Sequence, residues 1–289
     1  MFPRVKVCGE YISPAATPLL DPFEIYPDAT PEIIAANLDW IAPRFYDPAT
    51  KLLVTTIQGF LIRSKGKLIL VDTCVGDCKH RPRAVFNNQR WNWLDRLHEA
   101  GASPKDIDIV VCTHFHVDHV GWNTQLDNGR WVPTFPRARY VFAKAEWDFW
   151  RSEGGRHGLS RAGDYVADSV VPIVEAGLAD LVATNHVIND EVRLLPAPGH
   201  TPGLVSVDLR SGAAHAVIIG DVLHSPLQCK YPDWSTRFCA DQAASRVTRK
   251  RTLETYADTT TLVFTSHFPS PTAGFLERAA GAYRFRYAD

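Results

Sequence analysis

The chain has 289 residues, 45% of them hydrophobic, and its formal net charge is −1 at neutral pH. This length favours one large domain over two, and the charge argues against binding to nucleic acid or to an anionic membrane. No apolar run approaches the roughly 20 residues of a membrane span. The N-terminus lacks an apolar secretory stretch, so we expect a soluble, cytoplasmic protein.

Residues 1–50 are rich in proline and contain no motif typical of a catalytic or binding site. We predict that they form an N-terminal extension packed on a single domain of residues 51–289. Within the extension, Pro31 to Trp40 is predicted to form a short helix, because Thr30 can cap it and Pro31 suits a first helical turn. The functional alternative for the extension is a lid or a dimer arm.

The remaining segments alternate between strand and helix patterns. Two β runs, at 52–62 and 67–72, flank Ser64-Lys65-Gly66 and predict a hairpin. Asn88 to Ala100 is predicted to be a helix that ends at Gly101. Further strands are predicted at 107–112, 139–142, 192–195, 204–209, 216–219 and 262–265, and further helices at 143–150 and 241–256. Because many of the strands are joined as hairpins, mixed sheets fit better than wholly parallel ones.

Residues that can bind metal are concentrated directly after the predicted strand at 107–112. His114, His116, Asp118 and His119 lie within six positions. Nitrogen and carboxylate ligands at this density suit zinc or a similar divalent ion. Six residues cannot place all four side chains around one ion without strain, so the cluster indicates two ions side by side. The alternative is a polar loop whose histidines only form hydrogen bonds.

Three later segments each bring one more residue of this kind to the end of a hydrophobic run. His200 lies in a tight turn rich in proline and glycine, Asp221 ends an apolar strand, and His267 ends another. Together with residues 114–119 this makes four segments, and chance alone would rarely place a metal-binding residue in this position in all four. The pattern therefore favours a shared metal site.

These segments, in this order, resemble the metallo-β-lactamase superfamily, whose H-x-H-x-D-H signature matches residues 114–119. The resemblance covers roughly Leu52 to Gly274 and includes a strand with the V-D-T ending at Asp72. It implies an α/β (α+β) fold, a four-layer αββα sandwich of two mixed β-sheets flanked by helices. It also implies a dinuclear metal site at one edge of the sheets.

The resemblance further implies which residue binds which ion. One ion would be held by His114, His116 and His200, the other by Asp118, His119 and His267, and Asp221 would bridge them. Two divalent ions are therefore the expected cofactors, with zinc first and manganese, iron or cobalt as alternatives. Asp118, Asp221 and His224 are the residues that we expect to take part in catalysis.

Within the superfamily the chain is similar to the branch of lactonases and methyl-parathion hydrolases. Acyl-homoserine lactonases of this branch carry a tyrosine three residues after the bridging aspartate, where this chain has His224. We expect a hydroxide between the two metals to attack a lactone or carboxylic ester, with His224 donating a proton to the substrate. Phosphotriester hydrolysis is the alternative, followed by β-lactam or thioester hydrolysis. A non-catalytic metal-binding protein is disfavoured, because no ligand is missing.

Other residues carry weaker expectations. Asp72 is predicted to orient a histidine ligand, with a turn carboxylate as the alternative. The six cysteines are expected to be reduced, since a chain of this size needs no disulfides. The run Lys79-His80-Arg81-Pro82-Arg83 predicts a solvated basic loop, or a rim that favours acidic substrates. We expect a small-molecule substrate, and the resemblance suggests a homodimer.

Overall fold

The structure is a computed structural model that describes residues 4–10 and 17–288. These residues form two compact units. The first unit comprises residues 4–10 and 57–194, and the second comprises residues 17–56 and 195–288. The prediction of an N-terminal extension on a single domain stays a prediction.

In chain order, the strands of these residues are β1 Arg4–Glu10, β2 Thr17–Leu20, β3 Tyr46–Asp47, β4 Leu52–Thr55, β5 Ile57–Ser64, β6 Lys67–Val71, β7 Ile109–Cys112, β8 Thr124–Asp127, β9 Arg130–Pro133, β10 Arg139–Ala143, β11 Ala179–Val182, β12 Val192–Pro196, β13 Val205–Ser211, β14 Ala214–Ile218, β15 Leu262–Phe264, β16 Ala273–Ala279 and β17 Ala282–Tyr287. The α-helices are α1 Pro22–Ile25, α2 Pro31–Ala35, α3 Leu38–Ile41, α4 Trp93–Glu99, α5 Lys144–Arg151, α6 Glu153–Ala162, α7 Tyr165–Ser169, α8 Val171–Glu175, α9 Leu227–Lys230 and α10 Gln242–Tyr256.

The first unit is built on a six-stranded mixed sheet in the order β1-β5-β6-β7-β10-β11. Strands β1, β5 and β6 pair antiparallel, whereas β6, β7, β10 and β11 pair parallel. Strand β7 lies inside the sheet and is mostly buried, which is why its sequence is a continuous apolar run. Because β6 and β7 are parallel, Asp72 and Thr113, which follow them directly, emerge at the same edge.

The second unit contains a mixed sheet in the order β12-β13-β14-β15-β16-β17, and the division between the units falls within β12. Strands β14 and β15 are parallel, and Ile218 at the end of one pairs with Phe264 at the end of the other. Asp221 and His267 each follow three residues after these ends. The parallel register therefore delivers both side chains to one edge of this sheet.

Helix α10 covers apolar residues of the second unit. Asp241 caps the helix, because its side chain accepts a hydrogen bond from the Ala244 N–H at 2.9 Å. At the other end, Leu253 and Tyr256 pack in a buried cluster with residues of β14 and β15. Burial of this face fixes the position of the helix, including its first turn.

The predicted mixed α/β class with two mixed sheets is confirmed. The boundaries of two predicted helices differ from the structure, however. The predicted helix 88–100 begins only at Trp93, because Asn88 and Asn92 have φ values of 49° and 53° in the left-handed region. The Thr30 cap is confirmed, since its hydroxyl accepts from the Ile33 N–H at 3.3 Å. The helix it starts ends at Ala35, however, and α3 follows as a separate turn.

The prediction of a solvated basic loop is wrong for two of its residues, since Lys79 is 0% and Arg81 2% exposed. Both pair with Asp168. The Arg81 guanidinium donates to both oxygens of this carboxylate, at 2.6 and 2.9 Å, and the Lys79 ammonium lies 3.3 Å away. The Lys79 ammonium also donates to the Thr124 hydroxyl at 2.6 Å. Pairing with Asp168 offsets the cost of burying these charges. The sequence pattern alone does not reveal this partner.

Cys74, Cys78, Cys112, Cys229 and Cys239 are free thiols, as expected. Within residues 4–10 and 17–288, no helix combines the length and the apolar character that crossing a bilayer requires.

Candidate metal centre

The first set of candidate ligands lies on the loop after β7, which we call the histidine loop (residues 114–119). The His114 Nε2 and His116 Nδ1 atoms lie 3.1 Å apart, and the Asp118 Oδ1 atom lies 3.8 Å from the His119 Nε2 atom. His114 and His119 are buried, whereas His116 and Asp118 are partly exposed. The loop therefore gathers all four predicted residues of the first unit, with ligand atoms at the spacing that a bound cation needs.

Asp72 holds the histidine loop at its base. Its buried carboxylate accepts hydrogen bonds from the Thr113 N–H at 2.7 Å and the Thr113 hydroxyl at 2.9 Å. It also lies 2.8 Å from the His119 Nδ1 atom. A carboxylate in this position makes Nδ1 the protonated nitrogen and leaves the Nε2 lone pair for a metal. The predicted contact between Asp72 and a histidine of the loop is confirmed.

Glu146, on α5, supports the middle of the same loop and was not predicted. Its buried carboxylate accepts from the Phe115 N–H at 2.9 Å and from the Trp150 indole N–H at 2.6 Å. The Trp150 ring in turn packs edge-on against His116, with centroids 5.5 Å apart. Glu146 thus fixes the backbone between His114 and His116. A glutamate in a helix usually faces water, so the sequence carried no signal for this role.

In the second unit, three histidines converge on the carboxylate of Asp221. Its Oδ2 atom lies 3.1 Å from the His200 Nε2 atom and 3.2 Å from the His224 Nε2 atom. Its Oδ1 atom lies 3.0 Å from the His267 Nε2 atom. All four side chains are buried, and Asp221, His224 and His267 have the mutual spacing of metal ligands. The predicted residues of this unit are therefore brought together.

His267 shows most clearly what these residues are arranged to bind. Its Nδ1–H donates to the carbonyl oxygen of Thr56 at 2.9 Å, so in the neutral ring Nε2 carries a lone pair. That lone pair faces the Asp221 Oδ1 atom at 3.0 Å. Two lone pairs at this distance repel each other unless a proton or a cation lies close to both. The donor set thus fits a divalent cation with imidazole and carboxylate ligands.

The electrostatics of His200 and His224 agree with this fit. Burial lowers the pKa of His200, but the Asp221 carboxylate and, to a lesser extent, the Cys239 sulfur outweigh it and raise this pKa to about 9. Burial lowers the pKa of His224 to about 4, although the Asp221 carboxylate acts to raise it. At neutral pH the metal-free chain therefore carries a proton on both ring nitrogens of His200, of which a metal at Nε2 would displace one, and keeps His224 neutral.

The turn that carries His200 depends on Gly199. This glycine has a φ of 131°, and a Cβ atom added there would lie 2.1 Å from the Ser245 backbone nitrogen in the first turn of α10. The loop is tied to the segment before α10 by hydrogen bonds from the Ala240 N–H to His200 O and from the Asp241 N–H to Gly199 O, at 2.8 and 2.9 Å. Packing against α10 therefore sets the position of His200.

Residues 55–267 match the model of the metallo-beta-lactamase superfamily. The chain therefore belongs to the metallo-β-lactamase superfamily, and the predicted resemblance is confirmed.

Similar proteins are known by sequence and by structure. The chain is 26% identical over 202 residues to N-acyl homoserine lactonase AiiB of Agrobacterium fabrum, a match that covers 61% of this chain and 66% of that relative, a little under two thirds. It also resembles the crystal structure of hydrolase AbOPH of the β-lactamase superfamily, with a TM-score of 0.82 at 21% identity, covering 99% and 94% of the two chains. For AidC, described as a dizinc quorum-quenching lactonase, the TM-score is 0.76 at 24% identity, covering 100% and 96%. These two structures show the same fold.

Proposed function

We propose that the protein is a metal-dependent hydrolase that opens a lactone or cleaves a carboxylic ester. The observation that carries the proposal is the approach of the His267 Nε2 lone pair to the Asp221 carboxylate, which a cation would make favourable. Membership of the superfamily supports it, because the matched residues 55–267 include all seven predicted ligands. The relatives named as lactonases favour lactones as the substrate class.

We propose two divalent ions as the cofactors, with zinc first, and we take the ligand assignment from the family resemblance. His114, His116 and His200 would hold one ion, Asp118, His119 and His267 the other, and Asp221 would bridge the two. When bound, such ions supply an activated water and polarise the bond to be cleaved. Asp72 and Thr56 support this role, because each accepts the Nδ1–H of a histidine and keeps its Nε2 atom available.

His224 is proposed to move a proton during the reaction. Its ring stacks on that of His267, with centroids 5.3 Å apart, and its backbone N–H donates to the Gln228 side chain at 2.7 Å. These contacts hold the ring in place beside Asp221. A neutral imidazole carries one N–H, which can donate to the carbonyl oxygen or to the departing oxygen of the opened ring. Asp118, a partly exposed carboxylate, is the second residue proposed to take part in catalysis.

The role of His224 has one structural alternative, because this residue also has the spacing of a metal ligand relative to Asp221 and His267. Replacement by phenylalanine separates the two roles. If His224 donates a proton, His224→Phe retains both metals and loses activity. If His224 is a ligand, the variant loses a metal as well.

The substrate class is tested with the metal-loaded protein on dihydrocoumarin, acyl-homoserine lactones and a paraoxon-type phosphotriester. We expect hydrolysis of at least one lactone or aryl ester, which stops in Asp221→Asn. His215→Ala is a matched control, since this histidine of the same unit pairs with Asp208 instead. Turnover of the phosphotriester alone would favour the alternative reaction. The absence of any lactone or ester turnover would contradict the proposal.

A further inference from the structure

His200 differs from His114, His119 and His267 in the atom that faces its Nδ1 nitrogen. The His119 Nδ1 atom faces a carboxylate oxygen of Asp72. The His267 Nδ1 atom faces the carbonyl oxygen of Thr56, and the His114 Nδ1 atom faces the hydroxyl oxygen of Thr113. For His200 the facing atom is sulfur, because the Cys239 Sγ atom lies 3.5 Å from Nδ1. The sulfur is 39 positions away along the chain and belongs to no sequence motif.

The Cys239 thiol is itself held in place by hydroxyl groups. Its Sγ atom lies 3.4 Å from the Ser245 hydroxyl, to which it donates, and 3.4 Å from the Thr236 hydroxyl. The thiol proton is thus directed at Ser245, and the sulfur lone pairs remain to accept a hydrogen bond from His200. The backbone bond from the Ala240 N–H to His200 O, at 2.8 Å, fixes the separation of the two residues.

A buried arginine supports this arrangement from α10. Arg249 is fully buried and donates to the Ser245 hydroxyl at 2.9 Å. The same guanidinium donates through Nε to the carbonyl oxygen of Val222, the residue after Asp221, at 3.1 Å. One rigid side chain thereby ties the thiol to the turn that carries the carboxylate. This geometry belongs to the candidate metal centre and not to general packing of the core.

We propose that Cys239 is a positioning residue for metal binding, whose sulfur accepts the Nδ1–H of His200 and so presents the Nε2 lone pair to the metal. The proposal rests on the proposed function, in which His200 is a ligand. Partners of this kind fix the tautomer and orientation of a metal-binding histidine and raise its basicity, and their loss costs 10- to 100-fold in metal affinity. Sulfur does this with a longer and softer contact than the oxygen atoms that serve His114, His119 and His267.

The test uses Co²⁺ as the probe, because its visible absorption reports the ligands and geometry around the ion. Metal-depleted full-length protein is titrated with Co²⁺ in competition with a chelator. Cys239→Ala is expected to bind one of two Co²⁺ ions about 10- to 100-fold more weakly than the wild type. Cys239→Ser keeps a hydroxyl acceptor, so we expect it to recover most of this affinity while the absorption bands still shift.

The control is Cys229→Ala, which removes a different thiol of the same unit, one that is buried in an apolar cluster. It is expected to lower the free energy of unfolding without changing Co²⁺ affinity or absorption. Should Cys239→Ala fail to fold, the absorption shift of Cys239→Ser decides alone.

The outcomes separate this inference from the function on which it rests. Wild-type protein that binds two Co²⁺ ions supports the metal centre, and unchanged affinity and spectra in both Cys239 variants then overturn the role of the cysteine. Wild-type protein that binds no Co²⁺ overturns both. A third result would also overturn the positioning role. If Cys239→Ala loses Co²⁺ affinity, while Cys239→Ser neither recovers it nor shifts the absorption bands, packing alone explains the loss.

Discussion

The first unit takes four candidate ligands from six consecutive positions of the histidine loop, whereas the second gathers His200, Asp221 and His267 from three separate loops. The histidine loop is supported by the buried carboxylates of Asp72 and Glu146. The second set is supported by the Thr56 carbonyl, the Cys239 thiol and the register of parallel strands. A contiguous ligand loop thus needs few outside contacts, while a dispersed set depends on the packing of the whole unit.

The largest effect is expected at Asp221, the carboxylate that the histidines of the second unit share. Asp221→Asn removes the charge that three histidine Nε2 atoms face at 3.0 to 3.2 Å. Loss of a residue that only supports a metal ligand already lowers metal affinity or activity 10- to 100-fold. Loss of the Asp221 carboxylate itself should therefore lower kcat/KM for a lactone by more than about 100-fold. Metal analysis should show fewer than two ions per chain. Asp208→Asn, which changes the buried partner of His215, is the matched control and should retain both. Full activity in Asp221→Asn would contradict this role.

A backbone substitution tests whether the dispersed set depends on packing. In Gly199→Ala the new Cβ atom meets the first turn of α10 at 2.1 Å, in addition to strain from the φ of 131°. We expect a loss of at least about 2 kcal/mol in the free energy of unfolding, together with weaker metal binding. Gly212→Ala separates the two causes, because Gly212 has a φ of 59° but open space around it. It should cost about 1 kcal/mol and leave metal binding intact. Equal effects of the two substitutions would exclude the role of α10.

The support of the histidine loop is tested by Asp72→Asn. Asp72 has a φ of 60°, a conformation that asparagine tolerates, so the substitution adds no backbone strain at this position. The amide replaces one of the two accepting oxygens by an NH2 donor, so either the Thr113 N–H or the His119 Nδ1–H loses its acceptor, and we expect a 10- to 100-fold loss of metal affinity in chelator competition. Asp106→Asn, which alters a surface capping contact of the same unit, should show no such loss. An unchanged affinity would mean that the loop does not need this carboxylate.

The smallest effect on activity is expected at Lys79, outside both ligand sets. Burial lowers the pKa of Lys79 to about 8, against the Asp168 carboxylate, while the unfolded chain keeps a value near 10.5. Between these values the unfolded chain binds the proton that the folded chain has released, so stability rises with pH through this window. Relative to Lys79→Met, the metal-depleted wild type should gain about 2 kcal/mol from pH 7 to pH 10. Denaturant unfolding at several pH values measures the difference, and a difference that does not vary with pH would contradict the assignment.

The sequence allowed the superfamily, the mixed sheets and the candidate ligands to be predicted, because each segment that carries a candidate ligand comes within a few residues of the end of a hydrophobic run. Asp72 and His224 could also be chosen as candidates, since Asp72 directly follows a strand and His224 lies three residues after Asp221. Glu146, Cys239 and Arg249 were not, because they become partners only through packing between elements distant in sequence. The helix expected from Asn88 failed for a local reason, since an asparagine can adopt the left-handed conformation that ends a helical pattern.

Metal stoichiometry tests the proposed dinuclear centre most directly. Metal-depleted protein would be titrated with Zn²⁺ while bound metal and lactone hydrolysis are measured on the same samples. We expect two ions per chain, with activity that disappears with the metal and returns in step with it. Binding of no divalent ion, or hydrolysis that persists in the chelator-treated protein, would contradict the proposal.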